Sequence, residues 1–175
     1  PDKEFIHTVE ALKILKTKGF EEFQFLVIGD GKAMRSLKLK LEEYDLIKNT
    51  IFLGKQPYDD INKYYALTDV EVLLDKDPQG GSHLREAMSC GKIVITTDGE
   101  SGFQRSWIDH RKTGFLVPLD NMYEDTANLI IELYNNKDLR EKIGKYGRQY
   151  VKESMSFEHL ANVYQKTCIE LTSVN

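Results

Sequence analysis

Residues 70–97 restrict the fold of this chain more than any other stretch. An apolar run, Val70-Glu71-Val72-Leu73-Leu74, ends in a polar loop that holds Gly80 and Gly81. A helical pattern follows over 82–90, then Gly91, then a second apolar run, Ile93-Val94-Ile95-Thr96-Thr97. Strand, glycine loop, helix and strand in that order make one βαβ unit, with its loop at the carboxyl end of the first strand. Open α/β sheets bind their ligands at that edge. Residues 80–86 are therefore the expected half of a ligand site.

The rest of the chain continues the alternation. Phe5, Ile6, Val9, Leu12, Ile14 and Leu15 recur at roughly helical spacing, and Gly19 closes that helix. Residues 23–28 read as a buried strand, followed at once by Gly29-Asp30-Gly31 and a helix to about Tyr44. Further strands are expected over 50–53 and 115–117, and further helices over 58–67, 122–135, 138–152 and 157–172. Phe103, Trp107 and Ile108 fit one helical turn. Strand runs that are nearly all apolar belong to a parallel sheet covered on both faces. The expected class is α/β: a Rossmann-like doubly wound parallel sheet with helices on both faces, one domain over 1–175. Such a sheet normally opens with a strand, and this chain opens with a helix. A strand, and a whole domain before it, are expected upstream of Pro1.

Bulk properties exclude several classes. The chain is 41% hydrophobic and 30% charged, which suits a folded globular domain rather than a disordered one. A net charge of -4 argues against a nucleic-acid binder, which carries a basic stripe. Cys90 and Cys168 lie far apart with no histidines at metal spacing, so two reduced thiols are expected. Cys90, just before a helix-ending glycine, reads as a small packing residue. No apolar run reaches the roughly 20 residues that span a bilayer.

Each chemical motif has a plainer alternative. Gly29-Asp30-Gly31 between strand and helix lets the backbone approach a phosphate or ribose. It can equally be an ordinary turn. The dinucleotide fingerprint needs a third glycine, and Met34 stands there, which disfavours a nicotinamide cofactor. Asp75 and Asp77 are spaced to share a divalent ion, yet no third carboxylate is apparent, and both suit a solvated strand end. Gly80, Gly81, Ser82 and His83 can aim successive amides at a phosphate. Glu86, four residues after Ser82, can accept hydrogen bonds from a ribose diol, or can cap its own first turn. His83 is a base, an anion contact or merely a polar residue of that turn. Lys3, Lys55, Arg85, Arg105 and Arg111 are candidate phosphate cations; most such side chains simply solvate a surface. No Ser-His-Asp, Cys-His or zinc arrangement is present, and no phospho-acceptor cluster of the flavodoxin-like response regulators.

Taken together, Phe-Leu-Val-Ile-Gly-Asp-Gly, Ile-Phe-Leu-Gly, Tyr-Tyr-Ala-Leu-Thr-Asp-Val-Glu-Val-Leu-Leu, Leu-Arg-Glu-Ala-Met-Ser-Cys-Gly-Lys-Ile-Val-Ile-Thr-Thr and Lys-Thr-Gly-Phe-Leu-Val-Pro-Leu-Asp-Asn occur in order. This resembles the carboxyl-terminal, donor-binding domain of retaining GT-B glycosyltransferases, the glycogen-synthase-like family four (group 1), over nearly the whole chain. The resemblance implies that a nucleotide-diphosphate sugar is the substrate and that no cofactor or metal is needed. It implies a glycan or lipid-linked acceptor held by an amino-terminal domain, a role in cell-surface polysaccharide biosynthesis, and a cytoplasmic location with room for peripheral association with the inner membrane face. The isolated domain is expected to be inactive.

Residue by residue, Glu86 matches the family's second motif glutamate, which holds the ribose. Gly81 matches the second loop glycine, and Ser82 and His83 the amides that face the diphosphate. Gly31 matches the last glycine of the first loop, and Lys3 a lysine that contacts the phosphates. Gly54 and Lys55 match the loop that passes the base. The chain departs from the pattern at Pro78, where the first motif glutamate stands, at Gln79 for the first loop glycine and at Gly80 for the aromatic. Arg105-Ser106 replaces a Pro-Glu pair. No catalytic residue is assigned. The alternative is a glycosyltransferase-like domain that binds a nucleotide or a partner without transferring sugar.

Overall fold

The computed structural model describes residues 4–76 and 81–172. Helix α1 (Glu4–Thr17) opens the chain. Its buried stripe is Thr8, Val9, Ala11, Leu12 and Leu15. Gly19, at φ +80°, ends it, and the Phe20 amide returns to the Leu15 carbonyl at 3.3 Å. The order then runs β1 (Phe25–Ile28), α2 (Met34–Glu43), β2 (Thr50–Gly54), α3 (Ile61–Leu67), β3 (Val70–Leu73), α4 (Ser82–Ser89), β4 (Ile93–Thr97), β5 (Phe115–Val117), α5 (Met122–Asn135), α6 (Lys137–Ser154) and α7 (Phe157–Thr172). The stretch 103–106, expected as a helical turn, is a 3-10 turn, Phe103–Ser106, and Trp107 and Ile108 follow it into the core.

All strand pairs are parallel. The expected single sheet is, however, two: β1-β2, and β3-β4-β5. Among the described residues no strand lies between β1 and β3. The inner edges of these two strands face a common cavity. Strand β4 is central to the three-stranded sheet, and all five of its residues are buried.

Helices cover both faces. On one face Ile93, Ile95, Phe115 and Val117 pack with Leu129 and Leu133 of α5, and with Ala11 of α1. The same two helices reach the other sheet, where Val9, Leu12 and Leu15 join Val27, Leu37, Leu41 and Ala127. On the opposite face Leu84, Ala87 and Met88 of α4 pack with Val94, Leu73, Tyr65 and Trp107. Cys90 packs at the margin of that cluster, and both cysteines are free.

Helix α6 approaches this layer through its glycines. A Cβ on Gly144 would fall inside van der Waals distance of the Gly91 carbonyl, and one on Gly147 would lie 2.7 Å from the Thr113 carbonyl. Both partners are backbone, which cannot rotate away. Gly144→Ala should therefore cost about 1–3 kcal/mol through overpacking, outweighing the up to about 1 kcal/mol of helix propensity gained. Urea unfolding measures this, and an unchanged or raised midpoint would contradict the close approach.

Candidate functional site

The site lies at the carboxyl edge of the strands. There Gly81 is the N-cap of α4, at φ 48° and ψ 41° in the left-handed region. A side chain would be strained in this backbone, and its Cβ would stand 3.3 Å from Leu84 Cδ1. The Gly81 carbonyl accepts the amides of Leu84 at 3.0 Å and Arg85 at 3.4 Å. The amides of Ser82 and His83 head the helix. A helix start of this kind favours an anion.

Glu86 sits one turn further on, partly buried. Its hydrogen-bond partner is on α3 rather than in its own first turn, which sets aside the self-capping reading. The Tyr65 hydroxyl lies 3.4 Å from Glu86 Oε2 and 3.1 Å from the His83 carbonyl, with one proton to donate between them. Burial, then the charges of Glu71 and Glu86, push the Tyr65 hydroxyl up, so it remains a donor at neutral pH.

Sequence reasoning passed over Tyr65 and Glu71. Glu71 is the one carboxylate in the apolar run of β3, and that oddity was the available signal. Its Oε1 lies 4.0 Å from His83 Nε2. Burial first, and the charge of Glu86 second, push the Glu71 carboxyl up to about 7. Tyr65, Glu71, His83 and Glu86 all line the cavity between β1 and β3, whose volume is about 1000 Å³.

The other predicted residues form a second group. Gly31 follows β1, Gly54 ends β2 and Lys55 follows it. The Gly29 amide donates to the Gly54 carbonyl at 2.8 Å and ties the two loops together. Gly29 at φ +118° and Gly54 at φ +65° occupy backbone that suits glycine. Lys55 is exposed. Lys3 and Gly80, with Asp77, Pro78 and Gln79, lie outside the described residues.

The other candidate cations are engaged elsewhere. Arg105 pairs with Asp98, and Arg111 with Glu132. The Arg85 guanidinium lies 5.9 Å from the Trp107 ring centre. Asp75 accepts from the Lys76 amide at 2.6 Å. Among the described residues no group of three or more His, Cys, Asp or Glu side chains is placed to hold a metal ion. No described helix is long and apolar enough to cross a membrane.

A Rossmann-like domain with a helix start at its carboxyl edge is an architecture many protein classes share. Sequence comparison narrows it. The family model for group 1 glycosyl transferases matches residues 1–150, and the chain belongs to that family. It is 29% identical over 155 residues to the uncharacterized glycosyltransferase MJ1178 of Methanocaldococcus jannaschii, covering 86% of this chain and 42% of that protein. The chain thus spans less than half the length of that relative.

Solved structures agree on the fold, that of GT-B glycosyltransferases. TarM of S. aureus, crystallised with fondaparinux, α-GlcNAc-glycerol and UDP, superposes with a TM-score of 0.83 at 22% identity, over 95% of this chain and 33% of that one. The carboxyl-terminal domain of the group 1 protein LpcC from Francisella tularensis gives 0.73 at 24% identity, over 86% and 78%.

The position of Glu71 has a measurable consequence. Its folded pKa of about 7 exceeds the ordinary 4.5, so the folded state keeps a proton that the unfolded chain gives up. Stability from this group is complete below pH 4.5 and is lost as pH rises to about 7. The loss is about 2–3 kcal/mol; this is below the full conversion of the shift because water reaches a side chain 28% exposed. Glu71→Gln should flatten this part of the stability–pH profile and raise the unfolding midpoint at pH 8. A profile that matches the parent chain would contradict the buried carboxyl.

Proposed function

We propose that this domain binds the nucleotide-diphosphate-sugar donor of a hexosyltransferase. The observation that carries the reading is the start of α4 at the left-handed Gly81, with Glu86 one turn in and the Tyr65 hydroxyl 3.4 Å from its carboxylate. The Ser82 and His83 amides would take the diphosphate, and Glu86 the ribose hydroxyls. Gly31, Gly54 and Lys55 would border the nucleotide from the other loops, with Lys3 and Gly80 as further contacts. UDP in the TarM complex supports this reading.

In the transfer itself, the bond from the anomeric carbon to the diphosphate oxygen breaks, and the diphosphate leaves with the electron pair. The acceptor hydroxyl bonds to that carbon and loses its proton. Oriented amides aimed at the departing charge lower the barrier, because that charge grows in the transition state. The acceptor, a glycan or a lipid-linked sugar, would sit on a separate amino-terminal domain. The product would serve cell-surface polysaccharide assembly in the cytoplasm, at the inner face of the membrane.

A second reading is nucleotide binding without transfer. Pro78 favours it, standing where the family resemblance implies the glutamate that contacts the transferred sugar. A panel of nucleotide sugars given to the longer polypeptide separates the two: turnover supports the first, and tight nucleotide binding without turnover supports the second. The 175 residues alone should bind nucleotide weakly and transfer nothing, since one wall of the cleft would belong to the proposed amino-terminal domain.

Glu86→Ala should weaken nucleotide binding by about 1–3 kcal/mol, the scale of hydrogen bonds to a charged group. Calorimetry reads this directly, and an unchanged Kd would remove the ribose role. On the same reading the donor is held without a metal. Titrations in EDTA and in millimolar magnesium should give the same Kd, and a requirement for the ion would refute that.

A further inference from the structure

A carboxylate inside β3 is costly. Side chains alternate along a strand. Val70 and Val72 pack with the core that α5 covers, so Glu71 turns with Leu73 to the face covered by α3 and α4. An apolar side chain of similar volume would fill that place without the cost of desolvating a charge. Sequences break such local rules chiefly where function requires it.

The groups around Glu71 narrow what that function is. Among the described residues, His83 is the basic side chain within ion-pair distance, its Nε2 4.0 Å from Glu71 Oε1. Helix α3 brings Tyr65 to the cluster, and α4 brings His83 and Glu86, with Cys90 at its end. Strand β4 brings no titratable side chain, nor does β1 across the cavity. Glu21, Glu22 and Asp69 line the other end of the cavity, before the two strands begin. Tyr65 stays protonated, because burial and the charges of Glu71 and Glu86 push its hydroxyl up. An imidazole ordinarily titrates between pH 6 and 7. His83 is therefore the neighbour able to exchange a proton with Glu71 near neutral pH.

We propose that Glu71 is a positioning residue for the donor diphosphate: it serves as counter-ion to a doubly protonated His83 ring, which adds a positive charge at the start of α4. This rests on the reading that the diphosphate meets the Ser82 and His83 amides. In the free site Glu71 keeps its proton up to about pH 7, because burial and the Glu86 charge oppose a second carboxylate. A diphosphate beside the ring draws a proton onto it. The O–H bond of Glu71 breaks and an N–H bond forms on His83, across a gap that one bridging water or a small rotation closes. The net charge of the pair is zero before and after. Glu86 keeps its own charge for the ribose. Carboxylate, imidazolium and diphosphate then alternate in sign, which lowers the energy of all three.

Glu71→Gln tests this, since it keeps the volume and removes the proton and the charge. Nuclear magnetic resonance follows the His83 ring through its titration in saturating inorganic pyrophosphate, and again in UDP. The ring should titrate about one pKa unit higher in the parent than in the variant, as an adjacent opposite charge demands. At pH 7 the variant should bind pyrophosphate severalfold more weakly. A carboxylate that merely adds negative charge would give the opposite sign, with the variant binding more tightly. Equal titration midpoints, or unchanged or tighter binding by the variant, would overturn the proposal. The amides of Ser82 and His83 report on the donor reading itself. Amide shifts with an unaltered ring titration would remove the role of Glu71 alone. Amides that move with neither ligand would remove the diphosphate reading, and the role of Glu71 with it.

Discussion

The contact between α1 and α5 holds this structure together. The two sheets share no strand-to-strand hydrogen bond, so their mutual position rests on side chains. Ala11 of α1 joins the core beneath β4 and β5, while Val9, Leu12 and Leu15 of the same helix join the core beneath β1. Helix α5 does likewise, with Leu129 and Leu133 in one core and Ala127 in the other. Ala11 and Ala127 are both fully buried. Both loops of the candidate site inherit their relative placement from this packing.

The site shows how little side-chain chemistry such a domain needs. The part proposed to face an anion is backbone: a left-handed glycine, then the first amides of a short helix. Glu86 adds a charge one turn in, with a phenol from α3 beside it. The phenol is itself held by burial, so orientation at the edge depends on the core below. Glu71 lies behind this pair and is kept from ionising easily by the same burial and by its neighbour's charge.

Much of this was legible in the residues. Apolar runs marked every strand, because parallel strands covered on both faces have no polar side to show. Gly81 and Gly91 marked the ends of α4, because those positions take backbone that other residues avoid. The split into two sheets was not legible, since the pattern of a strand says nothing about who sits beside it. The role of Tyr65 was hidden too. A tyrosine within a short helix reads as packing, and only the fold shows its hydroxyl reaching Glu86. Arg105 and Arg111 read as candidate phosphate ligands until Asp98 and Glu132, distant in sequence from at least one of them, came into contact.

The hydrogen bond from the Gly29 amide to the Gly54 carbonyl joins two loops that the sequence keeps apart. It forms where β2 carries one extra residue, since Val27 pairs with Phe52 and Ile28 with Gly54. The extra residue turns the end of β2 so that its last carbonyl meets the first loop. The two loops are therefore joined at their bases. On the proposed reading, a nucleotide bordered by Gly31 would meet Lys55 on a loop already tied to the first. The entropy of bringing them together was lost when the chain folded, and little of it remains to oppose association.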